Sequence, residues 1–367
     1  MTASLSSLQS DAILLLQQLV RTPSFSKEEA GTAALIAGFL QERDIPCIRI
    51  GHNIIAKNKH YDAGKSVIVL NSHHDTVKPD SGYTRDPFSA AIENDMLFGL
   101  GSNDAGASLV ALLAAFLYFW PRQELPFNLV MAATAEEEIS GSGGVEAVFR
   151  SDVFQAFCGT SDYSNCCGIV GEPTQLQLAV AEKGLLVIDA LAEGCAGHAA
   201  RDEGVNAIYI ALQDIAFLQQ LRMQEVSPLT GEVKTTVTVI GTDNTQHNVV
   251  PSRCHFVIDV RYNECYSPEA LFSYLQQQLR SRLTPRSMRL RASAIGREHP
   301  LVRAGLQMNR RVFGSPTLSD KALLPFPALK MGPGDSARSH TADEYIHLSE
   351  IRQGIADYIQ LLQNVTF

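Results

Sequence analysis

Apolar residues recur along the chain with two alternating periods, one typical of strands and one typical of helices. Short continuous runs rich in β-branched residues, such as residues 67–70, indicate strands that are buried on both faces of a sheet. Runs of this kind predict strands at residues 67–70, 96–99, 128–132, 168–170, 185–190, 235–240, 255–260 and 328–330. Stretches with helical spacing predict helices at residues 8–20, 29–43, 108–119, 205–221, 268–282 and 349–363.

The order of these elements predicts an α/β fold with two domains. Strands alternate with helices over most of the chain, which is the pattern of an α/β sheet. Residues 184–291 instead run strand, helix, strand, strand, helix, as an inserted α+β domain would. We therefore expect a main domain built from residues 1–183 and 292–367, with residues 184–291 as the insertion. A length of 367 residues also favours two hydrophobic cores over one.

Composition narrows the class of protein. The 30 basic and 39 acidic residues give a net charge of -9, and the lack of a Lys/Arg cluster argues against nucleic acid or an anionic membrane as a partner. The seven cysteines are scattered without C-x-x-C spacing, so we expect neither a disulfide framework nor a thiolate zinc site. Glutamines interrupt the N-terminal apolar residues, and the apolar run at residues 109–120 is too short to span a bilayer. We therefore expect a soluble, cytoplasmic protein.

Histidine and carboxylate side chains follow the predicted strands of the main domain. In open α/β sheets, ligand sites form just beyond the carboxyl ends of the strands. We therefore expect five segments to bring such side chains to one edge of the sheet. These side chains are His73, His74 and Asp75 after residues 67–70, Asp104 in "GLGSNDAGAS", Glu136, Glu137 and Glu138 after "NLVMAATA", Glu172 after "GIV", and His340 after "ALKMGPGDSARS".

Each of these residues alone has an ordinary structural explanation. A histidine after a strand is commonly a hydrogen-bonded loop residue, an aspartate before a helix is commonly an N-cap, and three glutamates suit a solvated helix start. Their joint occurrence at successive strand ends favours a metal site. Imidazole and carboxylate without thiolate suit zinc, with cobalt or manganese as substitutes. Two histidines and three acids are too many for one four-coordinate ion with a bound water, but they suit two ions about 3.5–4 Å apart that share a bridging carboxylate.

Six segments resemble the motifs of one enzyme family, in order and in spacing. The segments are "SHHDTVKP", "GSNDAGAS", "TAEEEISGSGG", "VGEPT", "GHAARDEGVNAI" and "GPGDSARSHTADEY". They resemble the two-zinc amidohydrolase and peptidase family that holds acetylornithine deacetylase, succinyl-diaminopimelate desuccinylase, aminoacylase and glutamate carboxypeptidase. The resemblance implies a two-zinc aminopeptidase-like catalytic domain at residues 1–183 and 292–367. It also implies that residues 184–291 form a lid and dimerisation domain.

The resemblance implies a set of ligands for two zinc ions and a further carboxylate that orients one of these ligands. The H-x-D form of the first motif selects His73 as a ligand and leaves His74 as the intervening residue. Asp75 would orient His73 and raise its basicity. One ion would be bound by His73, Asp104 and Glu172, and the other by Asp104, Glu138 and His340, with Asp104 as the bridge.

The glutamate triplet would carry the acid/base chemistry. The family's T-x-D-E-E segment corresponds to residues 134–138, so Glu137 falls on the general acid/base and Glu136 replaces the more frequent aspartate. Metal coordination lowers the pKa of a bound water towards about 7. Glu137 would accept the proton of that water during attack on an amide carbonyl and return it to the leaving amine. The segment "DAGAS" lacks the lysine that often follows the bridging aspartate by two residues.

The inserted domain would supply residues that contact the substrate. The resemblance implies that His198, in "GCAGHAARDEGVNAI", stabilises the oxyanion in the active site of the partner subunit. Without the resemblance, His198 reads as a surface histidine of a lid. Asn248 and Arg261 correspond to positions that hold the α-carboxylate of the substrate, for which a bidentate guanidinium is well suited, although Arg261 would otherwise be a simple surface charge. The backbone that includes Gly334 would line the same pocket.

The segments "GEPT" and "EKG" and the gap between "GPG" and His340 resemble acetylornithine deacetylases most. That likeness implies removal of an acetyl or succinyl group from the α-nitrogen of ornithine, a step of arginine biosynthesis. A succinyl-diaminopimelate desuccinylase, an aminoacylase or a dipeptidase with the same centre is the alternative. A non-catalytic metal-binding homologue is a further alternative, which the intact Glu137 disfavours.

Overall fold

The computed structural model describes residues 4–159, 161–201 and 203–367. Its helices are α1 (Leu5–Val20), α2 (Ala30–Gln41), α3 (Ala107–Phe119), α4 (Val145–Arg150), α5 (Asp152–Cys158), α6 (Ala207–Gln220), α7 (Pro268–Gln278), α8 (Pro300–Gln307) and α9 (Leu348–Asn364). Its strands are β1 (Cys47–Ile50), β2 (Asn53–Lys57), β3 (Val67–His73), β4 (Ile92–Glu93), β5 (Met96–Phe98), β6 (Asn128–Thr134), β7 (Cys166–Val170), β8 (Leu178–Glu182), β9 (Gly184–Glu193), β10 (Gly197–His198), β11 (Lys234–Gly241), β12 (Val249–Val250), β13 (Arg253–Tyr262), β14 (Arg282–Pro285), β15 (Ser293–Ala294), β16 (Val312–Ser315), β17 (Ala328–Lys330) and β18 (Tyr345–His347). Every predicted strand and helix overlaps one of these elements.

The chain forms two compact units, and the first is built on a mixed sheet. This first unit contains the described residues up to Val180, together with Ile295–Phe313 and Ser319–Phe367. Its strands follow the order β1-β2-β6-β3-β7-β17-β8. Strands β6, β3, β7 and β17 are parallel, so their carboxyl ends lie at one edge of the sheet. The predicted α/β class is confirmed.

Both faces of this sheet are covered, as the continuous apolar runs predict. All seven residues of β3 are buried. Because side chains alternate along a strand, Ile68 and Leu70 pack in the core that includes α1, α3 and α9, whereas Val67 and Val69 pack in the core that includes α4 and α5. The layers on either side hold the central strands, and therefore their polar ends, in fixed positions.

Helix α3 is a core helix of the first unit, and it is apolar on every side. Residues 102–119 are long and apolar enough to cross a membrane, and 83% of this stretch is buried inside the protein. A helix that is hydrophobic all round is typical of a core in which it is covered on every face. The irregular turn that carries Asp104 precedes α3 directly, so the packing of the helix also fixes that turn.

The second unit has an antiparallel sheet and its own core. It spans Ala181–Ala294 together with Gly314–Leu318. The sheet order is β11-β13-β9-β14, and residues of α6 and α7 pack against buried side chains of β9 and β13. The predicted insertion, residues 184–291, lies just inside these bounds, and the segment Gly314–Leu318 was not predicted to join it. Only Lys183 separates β8 from β9, so no turn signal marks the start of the second unit.

Several elements were not predicted from the sequence, and most of them are short. They include β1, β2, β8, α4, α5 and α8. Helix α8 did carry a start signal, because Pro300 is its first residue and Nδ1 of His299 accepts a hydrogen bond from the amide of Leu301, at 3.3 Å. Its eight residues are too few to show a helical period clearly.

Candidate metal centre

The five predicted metal ligands lie in the first unit, each on a different segment. Because β3, β6, β7 and β17 are parallel, the residues that end or follow them meet at one edge of the sheet. The structure therefore brings the five side chains together, while their role as ligands stays a prediction. His73 ends β3, Glu138 follows β6, Glu172 follows β7, His340 follows β17, and Asp104 lies in the turn before α3.

Asp104 lies between the two histidines, with one carboxylate oxygen facing each. Its Oδ1 is 3.4 Å from Nε2 of His73, and its Oδ2 is 3.7 Å from Nε2 of His340. On the His73 side, Oε1 of Glu172 lies 3.7 Å from the same nitrogen. On the His340 side, Oε2 of Glu138 lies 2.9 Å from Nε2. This geometry suits a carboxylate that bridges two ions.

The donor set fits a divalent metal ion. Nε2 of His73 is buried, and none of the residues that the structure describes forms a hydrogen bond with it. Donor atoms of His73, Asp104 and Glu138 lie within 4.8 Å of one another, as do those of His73, Glu137 and Glu172. Imidazole nitrogen combined with carboxylate oxygen is the donor chemistry of zinc and its common substitutes. The second of these groups includes Glu137, for which the resemblance implies acid/base chemistry.

Negative charge is concentrated at the centre and shifts the pKa of three groups. Burial raises the pKa of Glu137 well above its usual range; His73 opposes this shift, and repulsion from the carboxylate of Glu172 adds to it. The hydrogen bond with Glu138 raises the pKa of His340 to about 9. Burial opposes the charged form of His73, but the surrounding carboxylates, Glu137 foremost, raise its pKa. A divalent cation bound here would supply positive charge to the same carboxylates.

Asp75 supports the centre in a way that was not predicted. Its carboxylate accepts hydrogen bonds from the amides of Glu137 and Glu138, at 3.0 and 3.1 Å, and from Oγ of Ser26, at 2.7 Å. Its Oδ1 lies 3.5 Å from Nδ1 of His73, which is 3.0 Å from the backbone oxygen of Asp75. Burial opposes ionisation of Asp75, but the contact with His73 and the other hydrogen bonds hold its pKa below the usual range. Asp75 therefore supports the backbone of the glutamate triplet as well as lying beside His73.

Two further buried carboxylates adjoin the centre, and the sequence analysis did not single them out. Glu344 accepts hydrogen bonds from three backbone amides within residues 101–104, at 3.0, 2.8 and 2.9 Å, and burial raises its pKa to about 8. Asp320 accepts hydrogen bonds from Oγ1 of Thr134, at 2.7 Å, and from Nδ2 of Asn71, at 3.2 Å, and burial raises its pKa to about 6. Glu344 lies within the segment "HTADEY" and could have been noticed there, whereas Asp320 lies in none of the six segments.

The loop after β17 carries three residues with positive φ angles, which are Gly334, His340 and Asp343. His340 has a φ of 57°, and its side chain is 55% exposed, compared with 1% for His73. Gly334 has a φ of 92°, and a Cβ at this position would lie 2.5 Å from Oδ1 of Asn103. The backbone therefore requires glycine at position 334. A contribution of Gly334 to the substrate pocket stays a prediction.

The predicted substrate residues of the second unit do not all lie together. His198 pairs with Val249 across β10 and β12, and the amide of Ala199 donates to the backbone oxygen of Asn248, at 2.9 Å, so His198 and Asn248 are neighbours. Both side chains belong to exposed residues. Arg261 forms a bidentate contact with Asp259, at 2.8 and 3.0 Å.

The separation between His198 and Arg261 follows from the register of the antiparallel sheet. His198 follows β9, whose last residue, Glu193, pairs with Arg253 at the start of β13. Arg261 pairs with Leu185, at the start of β9. Arg261 therefore lies at the end of the sheet opposite to the one that His198 follows.

Comparison with known proteins identifies the family. The family model described as peptidase family M20/M25/M40 matches residues 69–364. The chain is 26% identical to succinyl-diaminopimelate desuccinylase 2 of Ruegeria sp. (strain TM1040), over 74% of this chain and 70% of that protein. It is 28% identical to the acetylornithine deacetylase of Salmonella arizonae, over 93% of this chain and 94% of that protein. The family predicted from the six segments is confirmed.

Two solved structures share the fold of this chain. An M20 family metallo-carboxypeptidase from Sulfolobus solfataricus has a TM-score of 0.74 and 17% identity, over 96% of this chain and 98% of that one. The aminopeptidase PepT from Bacillus cereus has a TM-score of 0.74 and 18% identity, over 97% of this chain and 98% of that one. The chain therefore belongs to peptidase family M20/M25/M40 and is a metal-dependent hydrolase.

Proposed function

We propose that the protein hydrolyses the amide bond of N-acyl amino acids, with an α-N-acyl ornithine as its substrate and arginine biosynthesis as its pathway. The observation that carries the proposal is the position of Asp104 between His73 and His340, with Oε2 of Glu137 3.8 Å from Nε2 of His73. The desuccinylase and deacetylase names of the two relatives support the N-acyl amino acid class. The branch-specific segments "GEPT" and "EKG" favour ornithine, with an acetyl or a succinyl group.

The residues of the centre would divide the chemistry between them. Two bound zinc ions, held by His73, Asp104 and Glu172 and by Asp104, Glu138 and His340, would supply an activated water and polarise the amide carbonyl. Glu137 would take the proton of the attacking water and deliver it to the leaving amine. One carboxylate can perform both steps, because it accepts a proton in the first and donates that proton in the second.

We also infer a homodimer formed through the second unit. Helix α6 exposes Tyr209 and Leu212, and strand β11 exposes Val239 and Ile240. Within the described residues, β11 pairs with β13 alone, so its outer edge is free to pair with another strand. Exposed apolar side chains near a free strand edge are typical of a subunit contact. In such a dimer, the partner subunit's His198 would stabilise the oxyanion.

Arg261 would hold the α-carboxylate of the substrate. Asn248 lies beside His198 at the opposite end of the sheet, so it would reach that carboxylate from the partner subunit, as proposed for His198. Arg261 would have to exchange Asp259 for the substrate, since its guanidinium is already paired. We also propose a cytoplasmic location. All seven cysteines are free thiols, and disulfides are rare in a reducing compartment.

A substrate panel tests the proposal. The protein would be reconstituted with zinc, cobalt or manganese and assayed on N-acetyl-ornithine, N-succinyl-ornithine, N-succinyl-diaminopimelate, other N-acetyl amino acids and dipeptides. We expect kcat/KM to be highest for one of the two ornithine derivatives. A preference for N-succinyl-diaminopimelate would contradict the ornithine assignment but keep the N-acyl amino acid class. Turnover of dipeptides alone, or of none of these compounds with any metal, would refute the N-acyl amino acid proposal.

A further inference from the structure

The backbone of residues 136–138, which we call the glutamate turn, is held by two buried carboxylates from other parts of the first unit. The amides of Glu137 and Glu138 donate to Oδ1 and Oδ2 of Asp75, at 3.0 and 3.1 Å. The amide of Glu136 donates to Oε1 of Glu29, at 3.2 Å. All three consecutive amides therefore have a carboxylate acceptor. Glu29 belongs neither to the ligand set nor to the acid/base chemistry described above.

Glu29 is held in place through both of its carboxylate oxygens. Its side chain is fully buried. Oε1 also accepts a hydrogen bond from the amide of Lys27, at 2.6 Å, and Oε2 lies 2.6 Å from Nδ1 of His52. A buried carboxylate is costly unless it is hydrogen-bonded, and these partners satisfy it in one position. Glu29 therefore offers the glutamate turn an acceptor whose place is fixed.

The contact falls on the residue whose conformation directs the turn. Glu136 has φ 57° and ψ 20°, in the left-handed region that non-glycine residues rarely adopt. Its own carboxylate turns back to accept a hydrogen bond from the amide of Gly143, at 3.1 Å, whereas Oε2 of Glu137 lies 3.8 Å from Nε2 of His73. Conformations of this kind persist where the surrounding contacts determine them. Glu29 supplies such a contact directly before the acid/base residue.

We propose that Glu29, supported by His52, is a positioning residue for Glu137 and acts through the amide of Glu136. The inference rests on the proposed acid/base role of Glu137. Loss of the acceptor at Glu29 would leave the amide of Glu136 without its partner and let the glutamate turn rotate, which would displace the carboxylate of Glu137. A misplacement of about 1 Å at a reacting group can cost about 100-fold in rate.

Substitutions at Glu29 give the direct test. Glu29→Ala should lower kcat by about 10- to 100-fold and change KM by less than about twofold, because it removes no substrate contact. Metal content should stay at the wild-type level. Glu29→Gln keeps an acceptor for the amide of Glu136, so its kcat should stay within about threefold of wild type. His52→Leu removes the partner of Oε2 and should give a smaller loss of kcat, which keeps the test available if Glu29→Ala does not fold.

Thr32 offers a matched control in the same buried segment. Its Oγ1 lies 2.9 Å from Nδ1 of His74 and donates to the backbone oxygen of Glu29, at 3.1 Å, but it contacts neither the carboxylate of Glu29 nor the glutamate turn. Thr32→Val should therefore lower the unfolding temperature without lowering kcat, when each variant is assayed well below its own unfolding temperature. A kcat loss in Thr32→Val as large as that in Glu29→Ala would show a merely structural role and overturn the proposal. An unchanged kcat in Glu29→Ala would overturn it as well.

Hydrogen exchange gives a readout that does not depend on turnover. Exchange of the backbone amides in a peptide that covers the glutamate turn should be faster in Glu29→Ala than in wild type or Thr32→Val. Unchanged exchange in Glu29→Ala would overturn the proposal. A wild-type protein that is inactive on every N-acyl amino acid would instead refute the proposed function, and the exchange comparison would still decide whether Glu29 holds the turn.

Discussion

The two units differ in how closely their predicted functional residues lie together. In the first unit, donor atoms of His73, Asp104 and Glu138 lie within 4.8 Å of one another, although they come from three separate segments. In the second unit, His198 is exposed, and its ring accepts a hydrogen bond from the nearby amide of Ala200, at 3.1 Å. The first unit therefore contains a dense cluster of side chains, whereas the second holds its predicted residues at two separate places, with His198 and Asn248 at one and Arg261 at the other.

The direction of the strands explains the difference. Parallel strands all end at the same edge of the sheet, so the fold alone brings together the polar residues that follow them. Antiparallel neighbours end at opposite edges, so residues that follow β9 and residues at the end of β13 lie far apart, as His198 and Arg261 do. A motif near the end of a strand therefore predicts a shared site in the first kind of sheet but not in the second. The predictions below test whether the predicted residues of the second unit nevertheless act in catalysis.

The largest effect is expected at the centre of the cluster. Glu137→Gln removes the proposed proton acceptor, so kcat should fall by about 10²- to 10⁴-fold while folding and metal content stay unchanged. Steady-state kinetics together with elemental analysis measures both quantities. Because Glu137 also groups with His73 and Glu172 as a donor set, loss of metal on this substitution would show that it is a ligand and that the triplet was assigned wrongly.

A smaller but still large effect is expected at His198 in the second unit. His198→Ala should lower kcat by about 10²- to 10³-fold, the range found when an oxyanion donor is removed, and it should leave metal content unchanged. The side chain is exposed, so the unfolding temperature should hardly change. The exposed His247, next to Asn248, provides the control, and His247→Ala should keep wild-type kcat. Equal kcat in both variants would make His198 an ordinary surface histidine.

Mixed dimers sharpen the test of His198. When His198→Ala is mixed with Glu137→Ala, subunit exchange creates dimers in which one site has both lesions and the other has neither, provided that His198 acts on the partner subunit. Activity should then rise above that of either variant alone. If His198 acts within its own chain, each site keeps one lesion and mixing restores nothing. Light scattering at micromolar concentration checks that the protein is a dimer at all.

The smallest effect is expected at the pair of Arg261 and Asp259. Asp259→Asn frees the guanidinium, so KM should fall by about two- to fivefold, which corresponds to about 0.5–1 kcal/mol for a half-exposed ion pair. Arg261→Lys keeps the charge but loses the bidentate geometry, so KM should rise. Initial-rate measurements over a range of substrate concentrations determine both values. An unchanged KM in the two variants would leave Arg261 as a surface ion pair without a substrate role.

The sequence predicts the groups of the centre better than it predicts their support. His73 ends β3, and Glu138 and Glu172 follow β6 and β7, so the periodicity and the fold class place them near one edge of the sheet. The resemblance to the family then selects them as ligands. Glu29 precedes an apolar helix, so it reads as an ordinary residue of a helix start, although its hydrogen-bond partner lies 107 residues away. The same limit applies to Asp320, because no neighbouring residue in the sequence indicates that Thr134 is its hydrogen-bond partner. Long-range hydrogen bonds of this kind leave no local pattern.

The fold shows the same limit at the boundary between the units. Glycine, proline or a polar run often marks a boundary, but here β8 continues into β9 across Lys183 alone. The insertion was therefore indicated by a change in the order of predicted strands and helices and not by a linker. The return segment Gly314–Leu318 is short, and its place in the second unit depends on tertiary contacts that periodicity does not record.

The place of β17 in the sheet affects how the protein can be made. This strand lies between β7 and β8, yet it follows nearly all of the second unit in the chain. A ribosome releases residues in sequence order, so a nascent chain carries His73, Asp104, Glu138 and Glu172 long before β17 closes the gap in the sheet and His340 arrives. Until then the growing chain holds an incomplete set of groups in an unfinished sheet. With His340 as a metal ligand, as proposed, we expect the chain to gain hydrolase activity only after this late segment has been made.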